Sequence, residues 1–219
     1  MNIRRLSQNA FRFAALAIAL TFLIGASAWA AGLGNTKQFT VDMKMSSTMG
    51  ESAGQVVNAT YYVGKDRFRM DVTVAGMPGG SHIAFFDGDD VTMYMLIPQM
   101  KQYMKSVSTA GDLGDEGPAL TFGSPDDADH ACQSDPNTKC EKVGSDTVLG
   151  RSVDKYVVTN TEDGVPVKST IWFDRELLFP IKVESEDGSM EATSIEIGPQ
   201  PAELFEIPAG YSEMQMPNY

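Results

Sequence analysis

The alternation of apolar and polar residues between Phe39 and Ile197 constrains the fold most, because it recurs in one short segment after another. In the first segment, apolar residues at 39, 41, 43 and 45 alternate with polar residues at 40, 42, 44 and 46. This period of two predicts β-strands with one apolar face. No convincing amphipathic helix is found that could cover them. The apolar face of such a sheet is therefore half of a sandwich or the wall of a cavity, and the sequence favours the cavity.

Turns rich in glycine, aspartate and proline separate the segments and predict two series of strands. The first series is a meander of six hairpin-linked strands from Phe39 to Val107. The second comprises strands at 152–160, 165–173, 181–185 and 190–197. One helical turn is predicted at 201–205, and the tail after Tyr211 is predicted to be loose. The chain is thus predicted to be mainly β.

The alternation stops between Ser108 and Thr138, where glycine, aspartate, serine and proline are frequent. A connection of this length within a compact domain is usually functional or disordered. We interpret it as a flap over one end of the sheet, and a disordered acidic insert is the alternative. Residues 31–219 are accordingly predicted to form a single β-rich domain with a loop insertion at 108–140.

The first 30 residues have the pattern of a secretory signal peptide. A basic start with three arginines precedes an apolar run from Phe13 to Ile24, and Ala28-Trp29-Ala30 is a small-x-small cleavage site. The apolar run is too short for a membrane span, and no later run is long enough for one. An uncleaved N-terminal anchor is the alternative. We therefore predict a periplasmic protein without a transmembrane segment after signal cleavage.

The charge of the chain argues against two classes of partner. The sequence carries 17 basic and 29 acidic residues, and the first 30 residues hold three arginines and no acid. The mature chain therefore has 14 basic against 29 acidic residues. Such a surface repels nucleic acid and anionic membrane surfaces, both of which attract basic patches.

The two cysteines, Cys132 and Cys140, are predicted to form a disulfide, since an even count in an exported chain is typical of one. His130 and three nearby aspartates would also permit a zinc site. A tetrahedral site needs ligands that converge from an ordered scaffold, which this segment does not show. The disulfide is therefore favoured, and no metal site is predicted here.

No catalytic machinery can be assembled from the sequence. Residues 50–54, Gly-Glu-Ser-Ala-Gly, match the nucleophile-elbow pattern, which requires a strand-to-helix turn with a histidine and an acid nearby. Here a strand follows, so we interpret these residues as a hairpin loop. An enzyme is the least expected class, and no cofactor is predicted.

The chain contains 13 methionines, several of which fall on the apolar strand faces. Thioethers bind Cu(I), but they also form deformable apolar walls that accept varied ligands. Placement on the strand faces favours a wall over a metal site. Plain core packing is the further alternative.

The C-terminal third contains three segments that resemble the LolA/LolB-like superfamily of periplasmic lipoprotein carriers. They are Ile171–Asp174, Phe179–Lys182 and a strand ending at Ile197 that leads into 202–211. The N-terminal meander resembles an uncharacterised exported branch of the same superfamily, notably where Met93-Tyr94-Met95 runs into Leu96-Ile97-Pro98. The resemblance implies a single curved antiparallel sheet, a half-barrel with an apolar concave face, with a long loop or short helices over one face. Unlike the carriers, the chain has no helix before the first strand and no clear lid helices.

These observations predict a soluble periplasmic binding or carrier protein for an apolar ligand, such as a lipid or an acyl chain. The residues predicted to line the ligand site are Phe39, Val41, Met43, Tyr61, Phe68, Met70, Phe85, Met93 and Met95. Two alternatives stay open: an interaction or sensor module that contacts an envelope protein, and a methionine-rich Cu(I)-binding protein.

Overall fold

Twelve strands form one sheet in the computed structural model, which describes residues 37–48, 53–88, 90–109, 138–162 and 165–214. The first six strands are β1 (Phe39–Ser47), β2 (Val56–Val63), β3 (Arg67–Val74), β4 (Gly80–Asp87), β5 (Asp90–Ile97) and β6 (Gln102–Thr109). The others are β7 (Thr138–Val148), β8 (Arg151–Glu162), β9 (Val165–Asp174), β10 (Phe179–Ser185), β11 (Gly188–Ile197) and β12 (Ser212–Glu213). A 3₁₀ turn at Ala202–Phe205 lies where a helical turn is predicted. The prediction of a mainly β chain is confirmed.

The first strand lies in the middle of the sheet. The strand order is β12-β6-β5-β4-β3-β2-β1-β11-β10-β9-β8-β7, and neighbouring strands are antiparallel except for β12 and β6. One meander, β1 to β6, thus joins a second, β7 to β11, where β1 pairs with β11. Phe39 stands opposite Ile197 at one end of this seam, and Ser47 stands opposite Gly188 at the other.

Residues 212–214 are held at the edge of the sheet, so for them the prediction of a loose tail after Tyr211 is wrong; residues 215–219 lie outside the described part of the chain. Ser212 and Glu213 form β12, whose partners on β6 are Gln102 and Tyr103. The backbone N–H of residue 214 also donates a hydrogen bond of 2.8 Å to the Tyr103 carbonyl. A pair of polar residues has no alternation to read, which is why the pattern does not predict this strand.

The second series of predicted strands corresponds to β8–β11, but the pattern does not predict β7. Strand β7 lies at the edge of the sheet, and most of its side chains are exposed, so it lacks an apolar face. Strand β6 ends at Thr109 and β7 begins at Thr138. The residues between them lie outside the described part of the chain, as do residues 1–30 and Cys132. The signal peptide, the loop insertion and the Cys132–Cys140 disulfide therefore stay predictions.

The sheet curls tightly toward one of its faces, which we call the inner face. Phe39 on β1 and Phe179 on β10 are separated by β11, yet their ring centroids are only 5.5 Å apart. Two strand spacings in a flat sheet would place them about 9.6 Å apart. The predicted curved antiparallel sheet is thus confirmed, and the concave side is the side that carries Phe39.

The inner face is filled where the two meanders meet. One cluster of buried side chains there joins Met70 on β3 to Tyr156 on β8, although these strands are six positions apart in the sheet. Tyr61, Phe173 and Phe179 are among its largest members, each at most 2% exposed. We call this the inner cluster. It shows that the sheet closes on its own side chains instead of on a second sheet.

The opposite, outer face of β3–β6 is covered by the C-terminal segment. Phe205, in the 3₁₀ turn, is 2% exposed and packs with Ile83 and Leu96 in a second cluster. The Arg69 guanidinium fixes the turn by donating a 2.7 Å hydrogen bond to the Leu204 carbonyl. A short helical turn therefore covers one face of the sheet, in accord with the prediction.

Candidate functional site

Five of the nine predicted lining residues belong to the inner cluster. These are Phe39, Val41, Met43, Tyr61 and Met70, each at most 3% exposed. Phe68 is half-buried and packs against the same cluster. Burial raises the pKa of the Tyr61 hydroxyl well above its usual range, because no charge can be solvated there. Since protein atoms surround these five side chains, they form the packed part of the concave face.

Met93 and Met95 lie further along the inner face, where side chains are less covered. Both are on β5 and half-buried, in contrast to the residues of β1 and β2 that point the same way. Half-buried neighbours on β3–β6 extend this region. We call the following six residues the inner patch: Phe68, His82, Phe86, Met93, Met95 and Met104.

Phe85 lies on the other side of the sheet from the rest of the predicted set. Its ring contacts Tyr94 edge-on at a centroid distance of 6.0 Å, and the Arg67 guanidinium lies 6.0 Å from its centroid. The register explains the difference, because Ala84, and not Phe85, stands opposite Phe68. The structure thus brings together the predicted lining residues that are on the inner face. It places Phe85 in the second cluster, on the outer face beneath the C-terminal segment.

The structure adds His82 and Met104 to the inner face, neither of which was among the predicted lining residues. His82 stands opposite Met70 on β3 and opposite Met95 on β5, and Met95 stands opposite Met104 on β6. Burial lowers the pKa of the His82 imidazole, so the ring is neutral at neutral pH. Within its own strand, His82 shares the alternating positions with Ala84 and Phe86, and this is the only signal in the sequence. The register between strands is needed to place His82 in one row with Met70, Met95 and Met104.

The inner patch consists of thioether, aromatic and imidazole side chains. Within the described residues, no group of three or more His, Cys, Asp or Glu side chains is arranged to hold a metal ion. The buried carboxylates lie elsewhere: Asp154 pairs with Lys142, and Asp174 pairs with Arg151 at the end of β9. What the patch offers is thioether, aromatic and imidazole surface.

None of the helices in the described ranges has the length and hydrophobicity needed to cross a membrane.

Two comparisons of the sequence give different outcomes. The family model for "Domain of unknown function (DUF4412)" matches residues 39–178, from β1 to the turn after β9. No curated protein matches the chain.

Solved structures of similar shape come from several bacteria. The complex of Pseudomonas aeruginosa MucA/MucB matches with 16% identity and a TM-score of 0.47, over 84% of this chain and 61% of that chain. A LolA superfamily protein from Nitrosomonas europaea matches with 11% identity and a TM-score of 0.35, over 84% and 97%. Lipoprotein LppX from Mycobacterium tuberculosis matches with 10% identity and a TM-score of 0.37, over 80% and 93%.

The matched MucB structures are longer than this chain, which spans 59–64% of their length. The superfamily that the sequence resembles is found again among the matched structures.

Proposed function

The chain belongs to the DUF4412 family, and we propose that it is a periplasmic binding or carrier protein for an apolar ligand, such as a lipid or an acyl chain. The ligand would lie against the inner patch. The observation that carries this proposal is a run of half-buried apolar side chains on the concave face, continuous with a fully buried core.

The physical basis is the difference in burial along one face. Val41 on β1 is fully buried, whereas Met95, in the same row across the sheet, is half-buried. An apolar ligand that covered the half-buried end would gain about 25 cal/mol for each Å² removed from water, before the costs of ordering. Covering about 200 Å² would give about 5 kcal/mol, enough for useful affinity.

The side chains of the patch suit a ligand of variable shape. Methionine has three rotatable bonds and a polarizable sulfur, so Met93, Met95 and Met104 can repack around different chains. The rigid members, Phe68 and Phe86, pack against the inner cluster and would form a fixed floor. The buried residues of β1 and β2 would then support the site from the side, and Phe85 would have no part in it.

Native mass spectrometry of protein purified from its own host tests this proposal, together with uptake of a fluorescent fatty acid. We expect an apolar adduct and saturable uptake. Met93→Asp places a charge in the patch and should lower uptake at least tenfold. Val107→Asp is the matched control, because Val107 is 63% exposed and lies on the outer face of β6; it should bind as the native protein does.

Circular dichroism must show that both variants keep the sheet. A clean, unliganded mass together with no uptake by the native protein would overturn the proposal. Equal loss in both variants would also overturn it, because binding would then not depend on the inner patch. Capture of a stoichiometric protein from periplasmic extract by native protein and Met93→Asp alike would favour the envelope-partner alternative.

A further inference from the structure

Four potential soft-metal ligands stand in one row across β3–β6. Met70, His82, Met95 and Met104 are consecutive partners in the register of these strands, with His82 between two methionines. Direct partners on an antiparallel sheet point to the same face. All four side chains therefore lie on the inner face, and we call them the methionine–histidine row.

The spacing of the row allows its donor atoms to meet. Side chains directly opposite each other have Cβ atoms about 4.5–5.5 Å apart. Bonds from a metal to imidazole nitrogen or to sulfur are about 2.0–2.3 Å long in zinc sites, which sets the scale. The flexible methionine arms on either side of His82 can bring their sulfurs to within that distance of one ion near the ring.

On the described strands, the rows that flank the methionine–histidine row on the inner face are uncharged. The next row on the inner face contains Phe68, Ala84 and Met93, and the row on the other side contains Val72 and Gly80. No carboxylate faces the row from these strands, so a hard cation such as Mg²⁺ or Ca²⁺ would lack its preferred oxygen ligands. A divalent ion would also bring a second positive charge into an apolar region, at a large desolvation cost.

The imidazole of His82 has a free lone pair. Among the described residues, no side chain or backbone group forms a hydrogen bond or an ion pair with its ring. Burial lowers its pKa, which keeps the ring neutral and able to coordinate at neutral pH. The ring is half-buried on the inner face, and a bound ion would take up its lone pair there.

We propose that the methionine–histidine row binds one Cu(I) ion through a His82 ring nitrogen and the thioethers of Met70 and Met95, with Met104 next to them as an additional ligand. Neutral nitrogen and thioether donors are the ligands that a soft monovalent ion prefers. This inference rests on the register of β3–β6 and does not require an apolar ligand, although His82, Met95 and Met104 also belong to the inner patch.

Titration of the lipid-free protein with Ag(I), a redox-stable stand-in for Cu(I), tests the inference, followed by Cu(I) under anaerobic conditions against a chromogenic chelator. We expect one ion per chain. Met95→Leu and His82→Asn should each weaken binding at least tenfold. Met93→Leu is the matched control, because Met93 is on the same strand and face but in the neighbouring row. Methionine-to-leucine changes conserve volume and should leave the fold intact.

A second readout does not depend on affinity. Ring resonances of His82 should shift on addition of Ag(I), whereas those of His130, the other histidine of the sequence, should not. The inference is overturned if no ion binds, or if Met95→Leu and Met93→Leu bind alike. It is also overturned if capacity is lost in a Cys132→Ser/Cys140→Ser variant, since thiols would then be the ligands.

Discussion

The rings of Tyr61 and Phe179 meet edge to face at a centroid distance of 5.7 Å, although β1 and β11 lie between the strands that carry them. In a flat sheet, three strand spacings would hold these rings about 14 Å apart. The contact therefore ties the two meanders together across the concave side. Phe179 also touches Phe39, so a single side chain joins β10 to β1 and β2.

Replacing Phe179 with alanine should destabilise the protein severely. Its side chain is 1% exposed, and its loss would leave a cavity between the two meanders. We expect the free energy of unfolding to fall by about 3–5 kcal/mol in urea denaturation. Val107→Ala, at a position 63% exposed, should change it by no more than about 0.5 kcal/mol. A loss below about 1 kcal/mol for Phe179→Ala would contradict the conclusion that Phe179 holds the two meanders together.

Replacing Asp174 should destabilise the protein more than replacing Glu176, the other carboxylate that pairs with Arg151. The buried Asp174 carboxylate accepts hydrogen bonds from the backbone N–H groups of Glu176 at 2.9 Å and Leu177 at 3.1 Å, and it pairs with Arg151. Asp174→Ala leaves these donors unpaired, so we expect a loss of about 3 kcal/mol in thermal or urea unfolding. Glu176→Ala removes only half-exposed ion pairs and should cost clearly less than Asp174→Ala. Equal losses would show that the buried interactions of Asp174 contribute no more to stability than the ion pairs of Glu176.

Gly188 should tolerate no side chain, because it touches β1. A Cβ atom at this position would lie 2.2 Å from the Ser46 carbonyl oxygen, which is backbone and cannot move aside cheaply. Gly188→Ala should therefore cost about 2–3 kcal/mol and weaken the pairing of β1 with β11. Gly150→Ala is the control: its φ of +74° is strained for alanine, but no described atom lies within 4 Å. It should cost about 1 kcal/mol, and hydrogen exchange along β1 should rise only in Gly188→Ala.

Trp172 should report the protonation of Asp146. Its indole N–H donates a 2.9 Å hydrogen bond to the Asp146 carboxylate, and this bond, first among several causes, lowers the pKa of Asp146 below its usual 3.8. The contribution of this hydrogen bond to the stability of the folded protein is therefore present above pH 3.8, and it is lost as pH falls through the lowered pKa of Asp146. We expect a change in Trp172 emission with a midpoint below pH 3.8.

The indole of Trp172 lies between two ammonium groups, Lys155 at 4.6 Å and Lys182 at 4.8 Å from its ring centroid, which should hold it in place during this titration. Asp146→Asn should abolish the emission change while far-ultraviolet circular dichroism stays constant. A midpoint above pH 3.8, or an unchanged titration in Asp146→Asn, would contradict the assignment.

Alternation predicts most strands of this protein because β1–β5 and β8–β11 each have buried side chains on at least one face. It also predicts β6, although no side chain of that strand is fully buried. It fails for β7, whose side chains are mostly exposed, and for β12, which has only two residues. Phe85 shows a different limit. Two adjacent phenylalanines, one on each face, fit either assignment, and only the pairing of Ala84 with Phe68 decides between them.

The site is less predictable than the strands. Alternation identifies two faces on each strand, but it does not show toward which face the sheet curls. It therefore could not separate the packed residues, such as Met43, from the half-buried ones, such as Met95. The row through His82 depends on the register between four strands, which the pattern within any one strand does not show.

The seam between β1 and β11 also has a consequence for the order of events during synthesis. Phe39 is paired with Ile197, so the middle of the sheet cannot form until residue 197 has been synthesised. Contacts so distant along the chain are slow to form. A nascent molecule would therefore contain one local meander, whose inner face stays exposed to water until the second meander has formed.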